Sequence, residues 1–476
     1  MIVTDTRFPD GLQGASKYKA LARAIREGIV SGQFAPGERL PPVRDLAHRI
    51  GVTPGTVARA YGMLTDEGRL VAGVGRGTFV AGTLKRELPA LPGMVSSTAS
   101  SPDAGQEADG TLNLQSPKLP DGGQVAILRR AMEALAEGQA VDRLLRYPSR
   151  DTDLPARAAF ADTLRAEDAG AFTLDDIVAT HGGQNAILLV LQTVMKGAHP
   201  VVAVDDLSYG GFRTAAGLLR ARLVGVEWDG EGPDPASLER AIREEGAQVY
   251  FTSSEVRNPT ARSTSPARRA EVAAVVARYG VHLVDDDCYR LMGAPRGGPS
   301  YRALLPETGW TVSSPSKSIS AALRVGFVVA PAGWGDVLAR NGTIASFGVS
   351  PMLTDLYAAV MADADLPAAL SAVRARFAGD LEVARSLLPA QRLSSSPDVP
   401  FFWIDLPAGW RAGEFVKGAA EAGVLIRSAE EFALRDGRAV HGARVSLNGS
   451  IPQARFAGAM ERLRDLLEAP PDPLAV

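Results

Sequence analysis

The sequence of 476 residues contains one cysteine, Cys288, and five histidines. A single thiol excludes an internal disulfide framework and fits a reducing cytoplasm, where the reading places the protein. It also excludes cysteine-based zinc sites, and the scattered histidines offer little else to a metal, so none is expected. No apolar run reaches the ~18 residues that a membrane span needs. The opening MIVTDTRFPD has no basic stretch leading into an apolar one, so no secretory signal is read there. A membrane partner is therefore not expected.

Length alone suggests about two to four domains, at roughly 150 residues each. Net charge is −3, but it is unevenly spread. Residues 1–85 hold twelve Lys and Arg against seven Asp and Glu, a surplus of +5 that leaves −8 for the remainder. A basic module on an acidic body suggests that only the N-terminus meets nucleic acid. Residues 82–110, rich in Pro, Ser, Ala, Gly and Asp, cannot bury a core and read as a linker. Domains are thus expected over 12–81 and 111–472.

In the first domain, Tyr18, Leu21, Ile25 and Ile29 recur at helical spacing. Val43, Leu46, Ala47 and Ile50 give a second short helix. Gly51 sits where a tight turn needs positive φ, Thr53 is placed to cap a third helix, and Val57, Ala60, Tyr61 and Leu64 form its apolar face. Two strands, Arg69–Val71 and Thr78–Val80, follow around Gly73, Gly75 and Gly77, with Arg76 at their tip. Helix, glycine turn and second helix form a helix-turn-helix, whose second helix enters the major groove; the strands make a wing. The words PGERLPPVRDLA, TVARAY, DEG and GRGTFV resemble the GntR family of winged helix-turn-helix domains. The resemblance implies a double-stranded DNA operator touched by Arg44, Thr56, Arg59, Arg76 and Gly77. One departure is Pro54–Gly55, where family members often carry a basic residue.

From Thr111 onward, short apolar strands alternate with amphipathic helices. Strands are expected at Val201–Val204, Leu223–Val226, Val249–Thr252, His282–Val284, Thr311–Ser313 and Val325–Val329. Helices at 184–195, 236–245 and 266–279 lie among them. This alternation argues for an α/β domain with a mostly parallel sheet. The last ~100 residues, with strands at Phe401–Asp405 and Arg444–Leu447, suggest a smaller α+β part.

Several residues carry chemistry. Lys317, in SSPSKSISAALRVGF, is of the type that forms an imine with a carbonyl. Arg324, seven residues on, suits a phosphate because its fork makes two charge-assisted bonds; Ser314 and Ser316 add hydroxyls. Gly183 and Gln184 open an apolar helix whose bare N–H groups face an anion. Asp285, Asp286 and Asp287 follow an apolar strand, where open α/β sheets bind ligands. Asp286 is placed to meet a pyridinium nitrogen, with Tyr289 three residues on to reach the neighbouring ring oxygen. Asn258 follows another strand and offers an amide to the same oxygen, and Tyr209 offers an aromatic platform. Read singly, each is more often a loop or surface residue than a ligand.

Taken in order, GGQ, DDLSY, NPT, DDDCY, SPSK, Arg324 and ARVSLNG resemble the fold-type I pyridoxal 5′-phosphate (PLP) family, the aspartate aminotransferase superfamily. The resemblance implies PLP on Lys317 and a carboxylate-binding role for Arg444. Two departures stand near the substrate side: YPSRDTDLPAR lacks the glycine of the family's Y-x-x-x-x-G, and Ala261 replaces the glycine of NPTG. A GntR domain, a linker and an aminotransferase-like domain in that order resemble the MocR/GabR group of regulators. That implies a homodimer and an amino-compound effector sensed by aldimine exchange at Lys317. A working aminotransferase that carries a DNA-binding domain is the alternative, and a vestigial PLP scaffold the third reading.

Overall fold

The computed structural model describes residues 17–80 except 36, 68 and 74–76. It also describes residues 110–469 except 139–142, 144, 165–168, 290–296, 397–398 and 435–439. The chain divides into two units, Met1–Ala90 and Leu91–Val476. Arg76 and the linker, apart from Gly110, lie outside the described residues.

The first unit is three helices and a two-stranded wing. Helix α1 (Lys17–Val30) buries Leu21, Ala22 and Ile25, and α2 (Val43–Arg49) buries Leu46 and Ala47. Gly51 takes φ +65° between α2 and α3 (Pro54–Asp66). Thr53 caps α3 by accepting from the Thr56 N–H at 3.3 Å, and Pro54 occupies the first helical position. Val57, Ala60, Tyr61 and Leu64 face inward from α3 and share one core with α1 and α2. Each fully buried leucine or isoleucine there contributes roughly 1.5–3 kcal/mol. Strands β1 (Leu70–Gly73) and β2 (Gly77–Val80) pair antiparallel, Leu70 opposite Val80. Gly77 has φ +109°, and a Cβ there would stand 2.8 Å from Arg39 Nε, so a side chain at this position would be strained on both counts.

The second unit opens with β3 (Leu112–Asn113) and continues with β4 (Ile177–Thr180), β5 (Val201–Asp205), β6 (Arg222–Val226), β7 (Ala247–Thr252), β8 (His282–Asp286), β9 (Gly309–Ser313) and β10 (Gly326–Val329). Strands β4 to β10 form one sheet of seven, ordered β4-β10-β9-β8-β7-β5-β6. Only β10 runs against its neighbours. Helix Gly183–Val194 covers one face and shares its core with Val204, Phe251, Val284 and Val312. Helices Pro235–Arg243 and Pro266–Tyr279 cover the other, against Ala203, Tyr250 and Leu283. Burial on both faces explains why these strands read as unbroken apolar runs.

The smaller part carries β11 (Leu393–Ser395), β12 (Phe401–Asp405), β13 (Val424–Leu425), β14 (Arg427–Ser428) and β15 (Gly442–Ser446). Four of them form an antiparallel sheet ordered β11-β12-β15-β14. Helices Leu366–Leu387, Ala412–Glu421 and Gln453–Glu468 close over it around Phe402, Trp403, Phe415 and Phe456. This part differs from the sequence reading, which lacked β11, β13 and β14. Strand β15 begins two residues earlier than expected, and β3, from the start of the domain, joins the smaller part by pairing parallel with β13. Among the described residues no single helix is long and apolar enough to cross a membrane. The one pair that passes jointly, Pro351–Met361 and Leu366–Leu387, is bent by 83°.

Candidate cofactor and effector site

A cleft of about 920 Å³ opens at the carboxyl ends of the central strands, where the crevice of an open α/β sheet lies. It brings together Gly183, Gln184, Tyr209, Asn258, Asp286, Tyr289, Ser314, Ser316, Lys317, Arg324 and Arg444. Every residue expected at the PLP and effector site therefore lines one cavity. Of the residues expected at DNA, Arg44 and Arg59 are exposed, and Thr56 is half-buried with its hydroxyl 2.9 Å from that of Thr53.

The anion end is built on glycine. Gly182 takes φ +80°, and a Cβ on it would approach Arg324 Nη2 to 2.8 Å. Arg324 itself sits in the left-handed region, φ 49°, and donates to the His181 carbonyl at 3.1 Å. A Cβ on Gly326 would strike the Gly182 backbone at 2.7 Å. The backbone of 182–183, the Arg324 fork and the buried Ser314 hydroxyl are thus packed side by side at a helix N-terminus, which suits a phosphate. Gln184 lines the same cleft, and its amide donates to the Gly211 carbonyl at 2.9 Å, tying the helix to the segment after Tyr209.

The three aspartates have separate places. Asp285 is buried and accepts from the Ser254 N–H at 2.8 Å and its hydroxyl at 2.5 Å. Asp286, unlike Asp285 and Asp287, lines the cleft. Burial, and then the neighbouring Asp285 and Asp287 carboxylates, push it up to about 7. A cationic ring nitrogen would reverse that shift by favouring the ionised form. Burial, the largest influence on Lys317, holds its ammonium below the usual lysine range, which favours the neutral amine needed for imine chemistry. Lysine, anion cradle, carboxylate and the Tyr209 ring are the four elements PLP requires, and this donor set fits it.

At the far end, Arg444 is buried, stacked between Phe401 and Phe432 at 5.3 and 4.8 Å. Burial draws it down to about 10, still charged at neutral pH. It donates to Asn258 Oδ1 at 2.8 Å. Because arginine only donates, that contact leaves the Asn258 NH₂ as the end turned to a ligand oxygen. Arg444 also donates to the Gln115 carbonyl at 2.8 Å. Sequence reasoning missed Gln115 and Arg427, which donates to the same carbonyl at 2.9 Å. Strand register opposite Arg444 is the signal that would have found Arg427. Ala261, the departure from NPTG, takes φ 56°, so it occupies the backbone conformation for which glycine is suited.

The comparisons agree with this architecture. Residues 109–463 match the model of aminotransferase class I and II, and residues 17–80 that of bacterial regulatory proteins, gntR family. The α-aminoadipate aminotransferase LysN of Thermus thermophilus superposes with TM-score 0.65 at 23% identity, over 75% of this chain and 92% of that one. An archaeal alanine:glyoxylate aminotransferase gives 0.66 at 19%, over 75% and 90%. At such identities these two show the fold alone. Relatives that span both domains are regulators by name. YdeF of Bacillus subtilis, an uncharacterised HTH-type transcriptional regulator, is 25% identical over 95% of this chain and 94% of its own. The vitamin B6 salvage pathway transcriptional repressor PtsJ of Salmonella typhimurium is 28% identical over 89% and 93%.

The chain belongs to the aminotransferase class I and II family, with PLP as its cofactor. The GntR domain at its N-terminus binds DNA and makes it a transcription regulator of the MocR/GabR type.

Proposed function

We propose that this regulator senses an amino compound in the PLP cleft and reports its occupancy to the DNA-binding domain. The observation that carries the reading is the convergence of Lys317, Asp286, Arg324 and Arg444 on one cleft, in a chain that begins with a GntR domain. PLP supplies an aldehyde that condenses reversibly with primary amines. Lys317 would hold the aldehyde, and an effector amine would compete with it there. Asp286 would keep the proton on the ring nitrogen, Tyr289 and Asn258 would serve the ring oxygen, Tyr209 would back the ring, and Gly183, Ser314, Ser316 and Arg324 would hold the phosphate. Arg444 takes the effector's anionic group. An effector shifts the protein between states only if it binds them differently, and displacement of Lys317 supplies that difference.

The working unit in this reading is a cytoplasmic homodimer. Exposed apolar side chains support the pairing: the Tyr147 and Phe347 rings lie 5.6 Å apart, centre to centre, and remain 77% and 64% exposed, and Ile344, three residues before Phe347, is exposed as well. Two recognition helices on two half-sites then gain by avidity. Arg44, Thr56, Arg59, Arg76 and Gly77 are the proposed DNA contacts. The test is operator titration with and without a panel of amines and amino acids, alongside steady-state transamination. Saturable change in DNA affinity without sustained turnover supports regulation. Rapid multiple turnover, with DNA affinity unmoved by any compound that alters cofactor absorbance, overturns it in favour of the enzyme.

A further inference from the structure

Arg427 and Arg444 stand directly opposite each other on antiparallel β14 and β15. Like charges in that register repel, and Arg427 is among the causes that lower Arg444. Both side chains line the cleft. Both donate to one acceptor, the Gln115 carbonyl, at 2.9 Å from Arg427 Nε and 2.8 Å from Arg444 Nη2; the Ser446 hydroxyl donates to it as well, at 3.2 Å. Among the described residues one acidic group pairs with them: Glu431 accepts from Arg427 Nη1 at 2.5 Å, and is itself held by the Ser428 N–H at 3.1 Å. Cations outnumber this acid, since Arg213 also lines the cleft and donates to the Glu431 carbonyl. The Arg427 and Arg444 pair faces a neutral carbonyl, while Arg444 Nε stays buried without a partner.

The carbonyl belongs to a particular segment. Residues 112–118 are the first stretch of the second unit after the linker, and Asn113, Ser116, Pro117 and Lys118 line the cleft. Their backbone is held by Leu112 N–H to Gly423 O, Leu114 N–H to Leu425 O and Lys118 N–H to Leu447 O.

We propose that Arg427 and Arg444 form a two-arginine clamp for the single anionic group of the effector, and that its resting occupant is the Gln115 carbonyl. This rests on the sensing function proposed above and adds to it a binding residue, Arg427, and a route. A guanidinium bond to an anion adds the attraction between two full charges to what the same donor gains from a neutral carbonyl, and an anion's two oxygens can take a bidentate pair of bonds. A carboxylate, sulfonate or phosphonate on the amino compound therefore takes donors from Gln115. Residues 112–118, covalently continuous with the linker, then reseat. The device reads an amine and an anion together: the amine at Lys317, the anion where residues 112–118 border the cleft.

The test uses full-length, PLP-loaded protein. Cofactor absorbance is titrated with γ-aminobutyrate, taurine and 2-aminoethylphosphonate, and with propylamine as the amine that lacks an anion. The three anionic probes separate carboxylate, sulfonate and phosphonate. Arg427→Gln is expected to raise the half-saturating concentration of at least one anionic probe by roughly tenfold or more. The change for propylamine should be about twofold or less, and Arg427→Lys should recover part of the loss. In wild type, hydrogen exchange over residues 112–118 should speed up with a saturating anionic probe and not with propylamine. An equal effect of Arg427→Gln on both classes, or exchange over 112–118 unmoved by an anionic probe that saturates the absorbance change, overturns the clamp and leaves the sensing function standing. If none of the four amines alters the absorbance, sensing at Lys317 falls and the clamp with it.

Discussion

Arg59 and Arg444 use one side chain in opposite surroundings. In the N-terminal unit the arginines proposed to meet DNA stand in water. Arg44 and Arg59 are exposed, and Arg59 rests its guanidinium 4.8 Å over the Tyr18 ring. In the second unit Arg444 is 6% exposed and wedged between two phenylalanines. A DNA backbone brings many charges and releases counterions when it is neutralised, so its readers remain solvated until contact. A small effector brings few charges, so its pocket must remove water and orient donors beforehand. The cleft accordingly carries shifted groups at Asp286, Lys317 and Arg444.

The largest effect that probes this contrast is loss of the cofactor attachment. Lys317→Ala should abolish the borohydride-trapped adduct while leaving operator affinity appreciable. An adduct persisting on the same peptide would falsify the assignment.

The next is a pH dependence. In cofactor-free protein Asp286 lies at about 7, above the ordinary carboxylate value. The folded state then binds this proton more tightly than the unfolded one between about pH 4 and 7, so the contribution to stability falls as pH rises through that window. Asp286→Asn removes the slope. By pH 8 the variant should gain on wild type by on the order of 2–4 kcal/mol relative to pH 4. Denaturant melts at the two pH values check this, and parallel changes in the two proteins would mean that Asp286 is not the strained acid. With cofactor present the order should invert: Asp286→Asn should lose PLP faster than Asp285→Asn or Asp287→Asn. Equal losses would count against the choice among the three.

On the DNA side the effects are smaller. Arg59→Ala should lower operator affinity by about 1–3 kcal/mol if it reads a base edge. If it meets only phosphate, affinity should fall evenly across sequences and the salt slope shrink by about one. Cofactor absorbance should stay unchanged, and an altered spectrum would break the separation of the two regions. The smallest effect is expected at Thr53→Ala, which removes the α3 cap and should cost roughly 1 kcal/mol. Hydrogen exchange over 54–66 should register it; unchanged protection there would show that the cap contributes nothing.

Local chemistry made much of this legible before folding. Capping at Thr53, the turn at Gly51 and the face Val57, Ala60, Tyr61 and Leu64 are properties of neighbouring residues. The same holds for the apolar strands that deliver Tyr209, Asn258, Asp286 and Lys317, because an open α/β sheet places whatever follows its strands at one edge. Strand β4 escaped notice because IVAT is short and shows no alternation.

What sequence alone determined, then, is the identity and order of the chemical groups: a lysine, an acid, an anion cradle and an arginine, each on a recognisable local element. Tertiary structure decided which of three adjacent aspartates enters the cleft, since strand alternation sends Asp285 to Ser254 and Asp286 to the cavity. It also decided that the Gln115 carbonyl, more than three hundred residues from Arg427 and Arg444, lies between them. Neighbours in sequence constrain dihedrals and periodicity, but contacts at such separation arise only when β3 pairs with β13 and β14 with β15.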